Sequence, residues 1–252
     1  MFLGGLFPYL VLVLLPTLAI TGWAAWRVRS TYSRWSQVNS GISMSSFDFA
    51  RYLLDRQGMA NVSIEAIPGN LTDHYDPRSK TLRVSSAVAG RPQMGRYDPY
   101  DQAIGVPSAP QYLSVAAAAV IAHEVGHALQ DRDRDRAMTL RQTIVPVAQI
   151  GSSVAPWLII IGIFMQITGL ALVGLVFFAG AVAFTFVTLP VEFGASNRAL
   201  ALVEPLGLIG ERGDGARQVL RAAGWTYVAA ALTALLTFFY YLLLFFGGNS
   251  RR

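Results

Sequence analysis

The sequence of 252 residues contains no cysteine. This absence excludes disulfide bonds, thiolate metal ligands and cysteine nucleophiles. Charged residues are also scarce, at 14% of the chain, whereas 53% of the residues are hydrophobic; soluble domains usually carry about 25% charged residues. The formal net charge of +5 comes mainly from basic residues beside apolar segments, which indicates orientation in a membrane rather than nucleic-acid binding. We therefore expect an integral membrane protein that binds the lipid bilayer and no nucleic acid.

Apolar segments divide the chain into five parts. Residues 1–26 predict a retained membrane helix, because the apolar run is long enough to cross a bilayer and no basic residue precedes it. Residues 143–190 predict a hairpin of two membrane helices, and residues 225–247 predict a fourth. Residues 27–142 and 191–224 are polar. The expected fold class is a mainly α membrane protein with four transmembrane helices and a small α+β domain.

Residues 27–142 carry the predicted α+β domain. A helix is expected to begin after a Ser45 cap and to stop at Gly58. Three predicted strands form a short antiparallel sheet: residues 62–67, 71–75 and 80–85. Residues 87–110 are rich in Gly and Pro and show no period, which predicts either a flap near a substrate groove or a plain insertion.

The distribution of basic residues predicts the orientation of the protein. Fourteen Lys and Arg residues lie in residues 27–142 and four in residues 191–224. On the opposite side of the expected membrane only Arg251 and Arg252 are basic, together with the amino terminus. The positive-inside rule therefore places both polar segments in the cytoplasm and both termini outside.

The pentapeptide HEVGH at residues 123–127 carries the strongest chemical signal. Residues four apart share one face of a helix, so His123 and His127 can reach one metal ion, with Glu124 beside its open position. Ser114 is the expected cap of a helix that ends near Gln130. The apolar stretch before His123 is too short for a membrane span, which favours a helix near the membrane surface. The charged residues 131–136 are expected to continue this helix in solvent.

A catalytic zinc ion normally has three protein ligands and one position for water. Because the chain lacks cysteine, the third ligand must be His74, an aspartate or a glutamate. Glu192 is the first charged residue after the predicted hairpin, and it is either an interfacial helix cap or the third ligand. His74 is the only histidine outside the pentapeptide. It is a structural histidine, a third ligand or a donor to the reacting carbonyl oxygen.

Three motifs resemble a known family: LTDHYDPR at residues 71–78, HEVGHALQ at 123–130 and LPVEF at 189–193. They resemble the bacterial neutral zinc metallopeptidases of the YugP-like family, and the resemblance covers almost the whole chain. More distantly, the layout is similar to the CAAX prenyl protease and HtpX-type peptidases, which are gluzincins. The resemblance implies a zincin-like catalytic domain at the cytoplasmic face of the bacterial inner membrane.

The resemblance also implies roles for individual residues. His123, His127 and Glu192 would bind Zn²⁺, and Glu124 would act as general base. Ser196 stands where the distant relatives carry an aspartate that supports a ligand histidine. The insertion around residues 90–110 is longer than expected for the close family.

The oxyanion that develops during peptide hydrolysis needs a donor besides zinc. His74 is the first candidate for this catalytic role, followed by Tyr75 and Arg198. In the distant relatives, a strand upstream of the motif helix binds extended substrate by edge pairing. Residues 81–85 are the corresponding segment of this chain.

The predicted function is a membrane zinc endopeptidase that cleaves peptide or protein substrates at the cytoplasmic surface, in membrane-protein quality control or in processing of a specific peptide. One alternative is an intramembrane protease of the site-2 type, but charged residues 131–136 follow the motif directly and no span contains an aspartate. Another is a non-catalytic membrane scaffold that retains the zinc site. The intact Glu124 weighs against the scaffold, because a structural metal site needs no general base.

Overall fold

The computed structural model describes residues 7–89 and 112–249. The described chain is mainly helical with one small sheet, as the sequence pattern predicts. Of the predicted flap or insertion at residues 87–110, only residues 87–89 are described, and they are helical. The rest of that segment lies outside the described residues.

The described chain contains eight α-helices and three strands. The helices are α1 (Leu15–Trp35), α2 (Ser46–Arg56), α3 (Ser86–Ala89), α4 (Val115–Arg132), α5 (Arg136–Ser153), α6 (Ala155–Phe164), α7 (Thr168–Val203) and α8 (Gly210–Asn249). A π-helical stretch, Leu10–Leu14, leads into α1, and a 3-10 turn, Glu204–Leu206, follows α7. The strands are β1 (Ser63–Ile67), β2 (His74–Asp76) and β3 (Thr81–Ser85).

Three of the described helices are long and apolar enough to cross a membrane: Phe7–Trp35, Thr168–Leu206 and Gly210–Gly247. The helix pair α5 and α6 passes the same test only as one broken span, because the two helices meet at a bend of 40°. Pro156 near the start of α6 explains the break, since proline lacks the N–H that would continue the ladder of α5. The structure thus contains three of the four predicted spans as single helices, and it contains four spans when the bent pair of α5 and α6 is counted as one span.

The described chain forms two compact units. The first comprises Met1–Val28, Arg134–Phe193 and Ala223–Arg252. Within it, α6 and α7 approach closely because small residues face the contact: a Cβ on Gly162 would collide with the Ala171 nitrogen, and one on Gly174 would lie 2.7 Å from the Ile159 side chain. Small residues at helix contacts are typical of membrane helices, where close backbone approach replaces the hydrophobic effect.

The second unit comprises Arg29–Asp133 and Gly194–Ala222. Its core forms between α2, α4 and the sheet, and Phe49, Leu54 and Leu82 are its most deeply buried large side chains. Helix α4 is buried on nearly all sides, which its alanine-rich first half allows because small side chains let neighbours pack closely.

The sheet has the strand order β1-β3-β2. Strand β1 pairs in parallel with β3, and β2 pairs antiparallel with β3 from the pair His74–Arg83 to the pair Asp76–Thr81. The predicted antiparallel sheet is therefore wrong in part, because the observed sheet is mixed. β3 is buried at four of its five positions, so it takes the central place, where strands on both sides and the core cover it.

The central place of β3 also corrects the expected substrate strand. Over residues 81–85, one edge of β3 pairs with β1 and the other pairs with β2, with Asp73 accepting the N–H of Ser85 beyond the end of β2. An extended peptide therefore finds no open edge on β3. Among the described strands, β1 and β2 are the edges.

The charged residues 131–136 continue the motif helix only as far as Arg132, contrary to the prediction that the whole run does so. Helix α4 ends at Arg132, Arg134 takes a left-handed φ of +52°, and α5 begins after Asp135. The Asp135 carboxylate accepts the N–H groups of Ala137 and Met138, so it caps α5. The cap redirects the chain directly after the motif.

Candidate metal centre

The pentapeptide lies on α4, as predicted. Ser114 caps this helix, because its hydroxyl accepts the N–H of Ala117 at 3.1 Å. The imidazole rings of His123 and His127 are 4.7 Å apart between centroids and nearly perpendicular. His127 and Glu124 are each 8% exposed. Such polar groups are costly to bury unless they have partners.

Glu192 supplies the third candidate ligand. The ligand atoms of His123, His127 and Glu192 all lie within 4.8 Å of one another, which is close enough to hold one metal ion. Glu192 is 2% exposed. Across residues 7–89 and 112–249, His74 belongs to no group of this kind.

One continuous helix carries Glu192 to this place. Helix α7 passes through Pro190 without ending, so Glu192 and Ser196 lie one turn apart on the same face. The turn after Glu192 lies directly against α4: a Cβ on Gly126 would lie 2.6 Å from the Ala195 carbonyl oxygen. Gly126 therefore allows a backbone contact that any other residue would obstruct. Glu192 precedes Ala195 by three residues on the same helix.

Each candidate histidine ligand has a neutral partner at Nδ1. The Nδ1 of His127 is 2.9 Å from Oε1 of Gln130, which is 1% exposed, and the Nδ1 of His123 is 3.2 Å from Oγ of Ser196. Since Oε1 of Gln130 can only accept, the His127 Nδ1 carries the hydrogen and its Nε2 is available to a metal. Gln130 and Ser196 thus orient the two histidines through neutral side chains, where an aspartate would do so with a negative charge.

Glu192 has a charged partner. Nη1 of Arg141 on α5 donates to Oε1 of Glu192 at 3.0 Å. This contact lies within the first compact unit. It compensates the buried carboxylate and restricts its rotation.

Glu124 contacts the edge of the sheet. Its Oε2 accepts the backbone N–H of Tyr75 on β2 at 2.9 Å. The phenol of the same Tyr75 donates to Oδ2 of Asp131 at 2.7 Å, and Lys80 pairs with that carboxylate as well. Burial raises the pKa of Tyr75, and the bond to Asp131 raises it further. Tyr75 therefore holds β2 against α4 at two points that lie seven residues apart on the helix.

A second carboxyl group lies near Glu124. The pKa of Asp73 is raised, mainly by burial and further by the negative charge of Glu124. The N–H and the hydroxyl of Ser85 both donate to Asp73 at 2.7 Å and oppose this rise. Asp73 thereby ties the chain before β2 to the end of β3.

His74 lies on the other face of β2 from Tyr75, because successive residues of a strand alternate. It is exposed, its Nδ1 is 2.9 Å from the Thr72 carbonyl oxygen, and its Nε2 is 3.4 Å from Nη1 of Arg83. Among the other candidate donors, the Tyr75 phenol bonds Asp131, and Arg198 donates to Asp133 at 2.6 Å. All three candidate oxyanion donors therefore form hydrogen bonds within the protein in this structure.

Sequence reasoning missed Gln130, Arg141 and Asp73. A local signal existed for Gln130, because it follows His127 by three residues and therefore lies on the same helical face. Asp73 stands in the LTDHYDPR motif, but its contact with Ser85 depends on strand pairing. Arg141 offered no local signal, since only the packing of α5 brings it to Glu192.

The donor set fits zinc. Two imidazoles and one carboxylate are the ligand types of catalytic zinc sites, and they leave a fourth position for water or substrate. Three buried or half-buried ligands, each with a hydrogen-bonding partner, also match the way metal sites orient their ligands. A carboxylate with no ligand role, Glu124, lies beside them in sequence. The set can bind a metal and move a proton.

Comparisons with known proteins agree with this chemistry. Residues 10–96 and 93–246 match the sequence profile of the family described as "Putative neutral zinc metallopeptidase". The chain is 36% identical over 226 residues to the "Putative membrane protease YugP" of Bacillus subtilis (strain 168). The aligned region covers 89% of this chain and 91% of that protein. No solved structure gives a significant match.

Proposed function

The chain belongs to the neutral zinc metallopeptidase family, and from this membership we propose that it is a zinc-dependent endopeptidase of the membrane. The observation that carries the proposal is the group formed by His123, His127 and Glu192, with Glu124 beside it on α4. A structural zinc site is closed by four protein ligands. This group has three, which suits a site that admits water and substrate.

The chain's own residues divide the work of peptide hydrolysis. Zinc bound by His123, His127 and Glu192 would supply a Lewis acid that polarises the scissile carbonyl and acidifies a water molecule. Glu124 accepts the proton of the attacking water at Oε1 while Oε2 stays bonded to the Tyr75 N–H. Glu124 then delivers that proton to the nitrogen of the leaving amine, so the peptide C–N bond breaks and the carboxylate is regenerated.

We propose His74 as the first residue to test for oxyanion stabilisation, ahead of Tyr75 and Arg198. His74 precedes the residue whose N–H contacts Glu124, which puts it near the reacting groups in the chain. Donation to an oxyanion requires its ring to leave Thr72 or Arg83. If His74→Ala and Arg83→Ala change kcat equally, His74 acts only through the sheet surface and the donor assignment fails.

The proposed setting is a zincin-like domain at the cytoplasmic face of a bacterial inner membrane, with four spans and both termini outside. Basic residues concentrated in residues 27–142 and 191–224 support this orientation. Helix α4 is not among the apolar candidate spans found in the described residues. This favours a site at the membrane surface over an intramembrane protease of the site-2 type.

The substitution Glu124→Gln tests the proposed function. The amide has nearly the shape of the carboxylate but cannot accept the proton of water, so zinc content should stay at one ion per chain while peptide cleavage is lost. Zinc is measured by elemental analysis of detergent-purified protein, and cleavage with casein or a peptide library. Wild-type protein that binds zinc and cleaves nothing would favour the non-catalytic scaffold. Cleavage by Glu124→Gln at the wild-type rate would refute the mechanism.

A further inference from the structure

The contact between Arg141 and Glu192 joins a guanidinium to a carboxylate that is almost wholly buried. Nη1 of Arg141 lies 3.0 Å from Oε1 of Glu192, whose side chain is 2% exposed, whereas that of Arg141 is 29% exposed. An ionised carboxylate is costly to bury without a charged or hydrogen-bonding partner. Arg141 supplies such a partner from a helix that carries none of the candidate ligands.

The contact also restricts the geometry of Glu192. A carboxylate can rotate about its last side-chain bond and can present one oxygen or both to a metal ion. A guanidinium bonded to Oε1 limits this rotation and engages one of the two oxygens. The carboxylate is then prepared for ligation through a single oxygen.

The two histidine ligands are supported in a parallel way. Gln130 contacts Nδ1 of His127, and Ser196 contacts Nδ1 of His123. Each of the three candidate ligands therefore has a side-chain partner that fixes its orientation, and of the three named partners only Arg141 is charged. Partners of this kind commonly contribute about 10- to 100-fold to metal affinity.

We infer that Arg141 is a positioning residue of the metal site, which holds Glu192 in the orientation required for zinc binding. This inference rests on the proposed function, because it takes Glu192 as a zinc ligand. It goes beyond that function in assigning a basic residue outside the three motifs to the site.

Simple electrostatics predicts the opposite effect. A guanidinium close to the metal position repels a divalent cation, so its removal alone would tighten zinc binding. Orientation predicts that removal weakens binding. The direction of the change in zinc affinity therefore distinguishes the two effects, without any measurement of activity.

The experiment uses the full chain in detergent and measures zinc affinity by competition with a fluorescent chelator. Arg141→Ala is expected to weaken zinc binding by about 10- to 100-fold, and Arg141→Lys to restore part of the loss. Arg136→Ala is the matched control, because Arg136 is an exposed arginine on the same helix, and it should bind zinc like the wild type. In a Glu192→Gln background, Arg141→Ala should have no further effect on affinity.

The outcomes separate this inference from the proposed function. Wild-type zinc affinity, or tighter binding, in Arg141→Ala would overturn the positioning role while leaving the peptidase proposal intact. If Arg141→Ala binds zinc more weakly but the wild type shows no Glu124-dependent cleavage, the positioning role is supported and the peptidase proposal is refuted. A wild-type protein that binds no zinc would overturn both. Melting temperatures of the zinc-free variants identify a folding defect, and Arg141→Lys replaces Arg141→Ala where one occurs.

Discussion

The backbone N–H of Tyr75 donates to Oε2 of Glu124 at 2.9 Å. This bond joins the edge of the sheet to the residue proposed as general base. The phenol of the same tyrosine bonds Asp131 two helical turns further along α4, so one residue of β2 sets the distance between strand and helix. The orientation of Glu124 consequently depends on a side chain that does not itself take part in proton transfer.

We predict that Tyr75→Phe lowers kcat by as much as about 100-fold, because a small displacement of a catalytic group has effects of this size. The zinc content should not change. The free energy of unfolding should fall by about 1.5 kcal/mol, the low end for a bond to a charged group, since Lys80 still pairs with Asp131. Tyr52→Phe, which removes an exposed bond to Arg56, is the control. Equal kcat in the two variants would contradict the prediction.

The partners of the histidine ligands should govern zinc affinity. Gln130→Ala removes the acceptor that holds the His127 Nδ1–H, and Ser196→Ala removes the contact to His123. Each is expected to weaken zinc binding by about 10- to 100-fold, measured by chelator competition. Gln142→Ala changes an exposed glutamine on α5 and should leave the affinity as it is. A similar loss in Gln142→Ala would mean that the assay reports general instability.

The backbone contact at Gly126 should be intolerant of even one methyl group. In Gly126→Ala the new Cβ would lie 2.6 Å from the Ala195 carbonyl oxygen, so α4 and α7 must separate. We expect a loss of about 1–3 kcal/mol in unfolding free energy, together with weaker zinc binding, because Glu192 lies within one turn of Ala195. Gly169→Ala is the control, since nothing lies within 4 Å of its added Cβ. An unchanged zinc affinity in Gly126→Ala would refute the coupling.

Two aspartates, Asp73 just before β2 and Asp76 at its end, should give opposite dependences of stability on pH. The pKa of Asp73 is raised, so its contribution to stability is fully present below its unfolded value of about 3.9 and is lost as pH rises through the raised value. The pKa of Asp76 is lowered to about 2, chiefly by the Arg78 N–H and then by Arg83. Its contribution is present above about pH 3.9 and is lost as pH falls toward 2.

The measurement compares the melting temperatures of Asp73→Asn and Asp76→Asn with that of the wild type between about pH 3 and pH 7. Relative to the wild type, Asp73→Asn should become more stable as pH rises, because asparagine avoids the buried charge and can still bond Ser85. Asp76→Asn should become less stable over the same range. Parallel pH profiles for the two variants would disprove the assignment.

Local features of the site could be read from the sequence. The spacing of His123 and His127 and the Ser114 cap depend on residues within one helix, and the structure has that helix with that cap. Glu192 could be named as a candidate ligand because a charged residue directly after an apolar segment is conspicuous. Its contact with Arg141 could not be predicted, since it needs two helices to pack in one particular rotation.

Strand order shows the same limit. Alternation and turn residues located the strands to within a few residues, but β1 and β2 are neighbours in sequence and not in the sheet. The pairing follows from the burial of β3, which depends on the core formed with α2 and α4. The helix break after Arg132 also escaped prediction, because the Asp135 cap competes with a run of residues that otherwise favours a continuing helix.

The position of Glu192 on α7 has a consequence for biosynthesis. A ribosome that has completed α4 has made both histidines and the proposed base, yet the third ligand follows 65 residues after His127. Between them lie the apolar helices that must first enter the membrane. If the proposed ligand set is right, a nascent or truncated chain that lacks α7 cannot complete the metal site. Under the proposed ligand set, zinc-dependent cleavage would therefore require that α7 has been synthesised.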